Sequence, residues 1–180
     1  MCTSKSTMKK SINNLLIVSL FAGLASCSEP EKTNTTFHIS YDDVAGFVDQ
    51  PAIVSNPLAH SGVKCAQVNQ ETIYGPTYSR KIGDMVNFLP KKIKIKAYVR
   101  LENASSVVKM VCSIDNDSAQ TVYWNALDTK TANIKPGSWE LLEGELEFEG
   151  KAQAGYKLSV YPLFDKGGNT LIDDVELGFE

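Results

Sequence analysis

Residues 93–101 restrict the fold more than any other stretch of this chain. Ile93, Ile95, Ala97, Val99 and Leu101 alternate with Lys94, Lys96, Tyr98 and Arg100. Successive strand side chains point to opposite faces, so this pattern describes a strand with one face in a core and the other in water. Further strands read, less clearly, over residues 37–41, 63–69, 78–82, 107–114, 121–127, 139–148, 157–163 and 171–179. Turn-rich pieces such as Asp115-Asn116-Asp117-Ser118, Lys135-Pro136-Gly137-Ser138 and Lys166-Gly167-Gly168-Asn169 separate them. Residues 51–58 read as an irregular or short-stranded connection, and no long helix is expected. About nine or ten short strands at this spacing predict an all-β fold, an antiparallel β-sandwich or barrel.

The N-terminal region obeys a different rule. Lys9 and Lys10 precede an apolar run over residues 15–25, the charged-then-apolar order of a secretory signal. The run is shorter than the roughly twenty residues a membrane-spanning helix needs. It ends in Leu24-Ala25-Ser26-Cys27, which resembles the cleavage box of bacterial lipoproteins. The resemblance implies that residues 1–26 are a signal peptide that is removed, and that Cys27 carries a thioether-linked diacylglycerol as the mature N-terminus. Residues 1–7 add nothing to the signal pattern, so Met8 is an alternative start and Cys2 belongs to discarded peptide. Residues 27–36 are the lipidated cysteine and a polar tether without apolar periodicity. Its Ser28-Glu29-Pro30-Glu31 resembles the short acidic signals that carry Bacteroidetes lipoproteins to the cell surface. The expected location is the cell envelope, as an outer-membrane lipoprotein in the surface or periplasmic leaflet, with the membrane as a partner through Cys27. Residues 37–180 are sufficient for one β-sandwich domain.

The chain carries a formal net charge of -3, and Lys5, Lys9 and Lys10 leave with the signal. An acidic domain excludes nucleic acid, whose phosphates call for a basic face. Lys91, Lys92, Lys94 and Lys96 form a local basic stripe, expected to be a solvated strand face that guards an edge against pairing. Cys65 and Cys112 remain in a compartment that permits a disulfide. Cys112 shares a face with Val108, Met110 and Ile114 and is expected in the core, whereas the parity of Cys65 does not set the two sulfurs opposite each other. Neither has a second cysteine or a histidine at metal-ligand spacing.

Three markers give the domain a more particular likeness. His60-Ser61-Gly62 opens one strand, Lys135-Pro136-Gly137-Ser138-Trp139 opens another, and Leu171-Ile172-Asp173-Asp174-Val175-Glu176-Leu177 closes the chain. In this order they resemble the galactose-binding-like jelly rolls that occur as carbohydrate-binding modules. The resemblance implies a jelly-roll sandwich, a glycan partner and one structural calcium ion. Asp173 shares parity with Leu171, Val175 and Leu177 and is expected to point inward, where a carboxylate needs cations or several donors. By the resemblance, Asp173 would hold the calcium with backbone carbonyls from the segments near Asp43 and Ser61-Gly62; the alternatives are an acid satisfied by backbone amides or one solvated at the strand end. The aromatic-then-glutamate marker of such modules is absent, and Tyr41-Asp42-Asp43 stands in its place.

A sugar site calls for exposed aromatic planes beside amides and charges. Tyr98 and Arg100, opposite the apolar parity of their strand, are candidates. In Val122-Tyr123-Trp124-Asn125 either face is compatible with a core; the expectation is that Trp124 turns inward while Tyr123 and Asn125 face the side of Tyr98. Tyr74 and Tyr78 flank Gly75-Pro76 and are placed at a rim. Trp139 is expected as a packing anchor, and the alternation around Tyr161 is ambiguous. Catalysis is poorly supported: His38 and His60 are the only histidines, and no nucleophile elbow, zinc-binding helix or phosphate loop is present. Asp42, Asp43, Asp173, Glu143 and Glu145 offer carboxylates, but the glutamates alternate with apolar residues as a wet strand face. Asp117-Ser118-Ala119 resembles a Bacteroidetes O-glycosylation site. The expected function is a lipid-anchored, non-catalytic glycan binder; the alternative is a structural or protein-interaction lipoprotein of a surface assembly, with a glycan-active enzyme less supported.

Overall fold

The computed structural model describes residues 35–43 and 52–180 of the 180-residue chain. The expected signal peptide, Cys27 and the tether through residue 34 lie outside the described residues. The alternation that predicts strands is realised as β1 (Thr35–Ile39), β2 (Ile53–Ser55), β3 (Lys64–Val68), β4 (Tyr78–Lys81), β5 (Lys92–Leu101), β6 (Val107–Asp115), β7 (Thr121–Asp128), β8 (Trp139–Glu147), β9 (Lys157–Lys166) and β10 (Thr170–Phe179). Among the described residues the single helix, α1 (Ile82–Met85), has four residues.

Among the described residues the strands pair antiparallel throughout and form two sheets. One has six strands in the order β2-β3-β10-β5-β8, with β1 also on β10; the other has four in the order β4-β9-β6-β7. Ile93, Ile95, Ala97 and Val99 of β5 pack against Val108, Met110, Cys112 and Ile114 of β6 within one core. Full burial of such aliphatic side chains is worth about 1.5–3 kcal/mol each, which is why the alternation was so legible. The fold is an antiparallel β-sandwich of the jelly-roll kind, as the strand pattern predicts.

The lysine stripe has another role than edge protection. β5 is a central strand, between β10 and β8. Its lysines form a charge ladder with acids across the sheet: Lys92 with Glu145 (2.7 Å) and Glu180 (3.0 Å), Lys94 with Glu143 (3.8 Å), and Lys96 with Glu176 (3.0 Å). The hydrogen bond from Lys92 holds the Glu145 carboxyl below its ordinary pKa. Each exposed pair adds little stability, but the ladder neutralises the stripe.

A β-bulge in β10 overturns the parity expected for Asp173. Asp173 pairs with Tyr98 and Glu176 with Lys96, so β10 carries one extra residue between them, and Asp174 has a φ of 46°. Before the bulge Ile172 faces the core; after it Val175, Leu177 and Phe179 do. Leu171 and Asp173 therefore stand on the outer face of the six-stranded sheet. Asp173 is 0% exposed because the connection between β2 and β3 lies over it.

Cys65 and Cys112 are both buried free thiols, on β3 and β6 of different sheets. Burial, helped by nearby Asp173, pushes the Cys65 thiol up to about 11, and burial also raises Cys112.

Candidate functional site

On the outer face of the six-stranded sheet, three carboxylates hold one loop. Asp173 Oδ2 accepts the backbone N–H groups of His60 (3.0 Å) and Ser61 (3.2 Å), and its Oδ1 accepts that of Asp174 (2.9 Å). Asp174 binds the His60 Nδ1 at 2.6 Å and accepts from the Ser61 hydroxyl at 2.7 Å. Asp42 Oδ1 accepts from the N–H groups of Val63 (3.0 Å) and Lys64 (3.1 Å). Gly62 between these clamps has a φ of +58°, and a Cβ there would overlap the Asp42 carboxylate. That explains the glycine in His60-Ser61-Gly62.

These groups do not fit the calcium expectation. The donors converging on Asp173 are N–H groups, which satisfy an anion and oppose a cation, whereas calcium takes a shell of oxygens. Asp43 is exposed in the turn after β1, and it is its neighbour Asp42 that clamps the loop. Among the described residues no group of three or more His, Cys, Asp or Glu side chains converges as a metal site. The acid satisfied by backbone amides is the arrangement present. Burial raises the pKa of Asp173 in spite of these donors, and burial with the Asp173 charge raises that of Tyr41.

The loop covers one of the expected sugar-binding side chains. The His60 ring stacks on Tyr98, with centroids 3.7 Å apart and planes 15° apart, and meets Trp139 edge-on at 5.5 Å. Trp139 donates its indole N–H to the Leu58 carbonyl at 2.9 Å, in keeping with a packing anchor. Arg100, half-buried, pairs in register with Trp139 on one side and Leu171 on the other.

The remaining candidates do not join Tyr98 and Arg100. Tyr123 belongs to the core, 9% exposed, with its ring edge-on to Phe148 at 5.3 Å. Trp124 is the residue that turns outward, 50% exposed. The expected facing is thus reversed, because Tyr123 pairs with the core residue Ile114 and Trp124 with Ser113. Asn125 is exposed on the edge strand, opposite Cys112. Tyr78 is core, with the Arg80 guanidinium 5.9 Å from its ring. Tyr74 is 66% exposed.

The outward residues of the four-stranded sheet form the strongest surface feature. Trp124 of β7 donates its indole N–H to the Tyr161 hydroxyl of β9 at 3.3 Å, and the Tyr161 ring lies 6.2 Å from that of Tyr74. Tyr74 reaches this face because residues 73–75 continue the β4 edge along β9. Tyr74 bridges Leu163, and the N–H of Gly75 donates to the Pro162 carbonyl at 2.8 Å. A side chain at Gly75 would collide with Pro162. Beside the rings runs a row of hydroxyls, Ser113 paired with Ser159 and Ser159 with Ser79, the last two 3.0 Å apart at Oγ. Ser113 and Ser159 are each 7% exposed, so it is the three aromatic rings that offer a surface, as stacking planes for apolar C–H faces. Sequence reasoning missed the pairing of Trp124 with Tyr161. The signal that marks Tyr161 as outward is its opposition to Leu158 and Val160, once β9 is taken as continuing through Phe164.

No protein-family model and no curated protein sequence matches the chain. Solved structures do. The C-terminal family 22 carbohydrate-binding module of Clostridium thermocellum Xyn10B is similar with a TM-score of 0.58 at 14% identity, over 84% of this chain and 96% of that one. The xylan-binding module CBM15 gives 0.51 at 9% identity, over 81% and 97%. The Clostridium thermocellum xylanase chain with CBM22-1 and GH10 modules gives 0.50 at 14% identity, and this chain spans 27% of it. At such identities the likeness is one of fold: the described residues adopt the jelly-roll sandwich found in these carbohydrate-binding modules.

Proposed function

We propose that this chain is a non-catalytic carbohydrate-binding module that takes a xylan-type polysaccharide along the outer face of its four-stranded sheet. The observation that carries the reading is the run of Trp124, Tyr161 and Tyr74, three aromatic rings from separate segments on one exposed face. Sugar rings present flat C–H faces at regular intervals, and a row of aromatic side chains matches them. The similar structure named as a xylan-binding module supports the choice of ligand class. A binding role without chemistry is supported by the likeness to carbohydrate-binding modules. The Leu24-Ala25-Ser26-Cys27 box supports lipid attachment at Cys27 and a place on the cell envelope, so that the module holds glycan near the membrane. Calorimetry of the full chain with xylohexaose tests the reading. Saturable binding that Trp124→Ala weakens at least tenfold is expected; no heat from xylohexaose or other neutral oligosaccharides would remove it.

A further inference from the structure

The opposite sheet carries a second feature that the aromatic face leaves unused. A pocket of about 270 Å³ opens at the end of the six-stranded sheet, lined by Arg100, Gln67, Asn56, Asn169 and Glu102, with Leu58 and Leu171 as its apolar walls. Arg100 and Gln67 flank Leu171 in register, so both stand on the outer face. Among the described residues Arg100 has no carboxylate within ion-pair distance, and the Gln67 side chain makes no hydrogen bond. The other polar walls are partly committed. Glu102 Oε2 accepts the Asn169 backbone N–H at 2.6 Å, Asn169 Oδ1 accepts from Asn69 Nδ2 at 3.0 Å, and Asn56 Oδ1 accepts from the Leu58 N–H at 2.9 Å. The side-chain NH2 groups of Asn56 and Asn169 remain.

We infer that this pocket binds a carboxylated sugar, a uronic acid residue, with its carboxylate on Arg100. A half-buried guanidinium without an acid is a planar fork that matches a carboxylate. Side-chain amides both donate and accept, as hydroxyls require, and the leucines suit the C–H face of a ring. Glu102, already turned to the β9–β10 connection by Asn169, accepts from hydroxyls and disfavours ligands of higher negative charge. Phosphate is therefore a poorer occupant than a uronate. The inference concerns a separate site from the aromatic face and does not depend on it.

The chain contains two tryptophans, and each reports one site. The Trp139 indole N–H is bonded to the carbonyl of the pocket residue Leu58, whereas Trp124 stands on the opposite sheet. Indole ¹H–¹⁵N spectra of the full chain, titrated in turn with D-glucuronate, D-glucose and inorganic phosphate, test the proposal. Glucuronate is expected to move the Trp139 signal saturably at about tenfold lower concentration than glucose or phosphate. Arg100→Gln should weaken that response about tenfold or more, Arg100→Lys less, and Gln67→Ala should weaken it with the charge intact. Equal responses to the three solutes, a response confined to Trp124, or none at either indole would overturn it. Titration with xylohexaose, read at Trp124, tests the aromatic face separately, so either site can fail alone.

Discussion

His60 lies flat on Tyr98, ring centroids 3.7 Å apart, while its Nδ1 meets Asp174 at 2.6 Å. The stack closes the loop of residues 56–62 over the sheet and covers the Asp173 carboxylate. A stacked aromatic pair is worth about 0.5–1.5 kcal/mol beyond its buried area, and the half-exposed pair with Asp174 adds less. His60→Ala is expected to lower unfolding free energy by about 1–2 kcal/mol and to speed amide exchange over residues 58–62, with the core strands unchanged. Uniform loss of protection across both sheets would show that the loop is not a local unit.

Asp173 makes stability depend on pH in a direction opposite to that of a salt-bridged acid. Burial raises its folded pKa above the ordinary carboxylate value, so the folded chain holds the proton more tightly than the unfolded one. Its contribution is greatest below the ordinary carboxylate pKa and is lost as pH rises through the raised folded value. In urea melts, the stability of the natural chain relative to Asp173→Asn is expected to fall with rising pH across that window and then level off. A difference that rises with pH would contradict the burial account.

The two buried thiols should be inert in the folded state. With Cys65 pushed up to about 11, roughly one thiol in a thousand is ionised at pH 8, and both side chains are buried. Peptide-level mass spectrometry after iodoacetamide treatment is expected to find Cys65 and Cys112 unlabelled in native buffer and fully labelled in guanidinium. Rapid native labelling of either peptide would place that cysteine at the surface.

Adjacent residues of β7 should respond in opposite ways. Tyr123→Ala empties a core site against Phe148 and is expected to cost about 3 kcal/mol. Trp124→Ala, on the exposed face, should change stability by about 0.5 kcal/mol or less while weakening xylohexaose binding. Denaturant midpoints of the two variants check the assignment, and the reverse ranking would mean that the faces are exchanged.

Alternation by itself determined the strands, the all-β class and the wet or buried side of β5 and β8, where Ile93 and Leu142 face the core and Lys94 and Glu143 do not. These follow from a local steric rule: neighbouring strand side chains point to opposite faces, and only the apolar set gains by leaving water. Tertiary structure alone decided the rest. Tyr123 and Trp124 are both aromatic, so either parity would bury a ring; the pairing of Tyr123 with Ile114 selects one. The extra residue at Asp174 breaks the parity of β10, and the position of β5 between β10 and β8 turns a supposed edge stripe into a charge ladder. Tyr74, Trp124 and Tyr161 meet only because three distant segments share one sheet face. Strand order, bulges and loop cover are set by contacts between residues far apart in the chain, and a repeating local pattern carries no record of them.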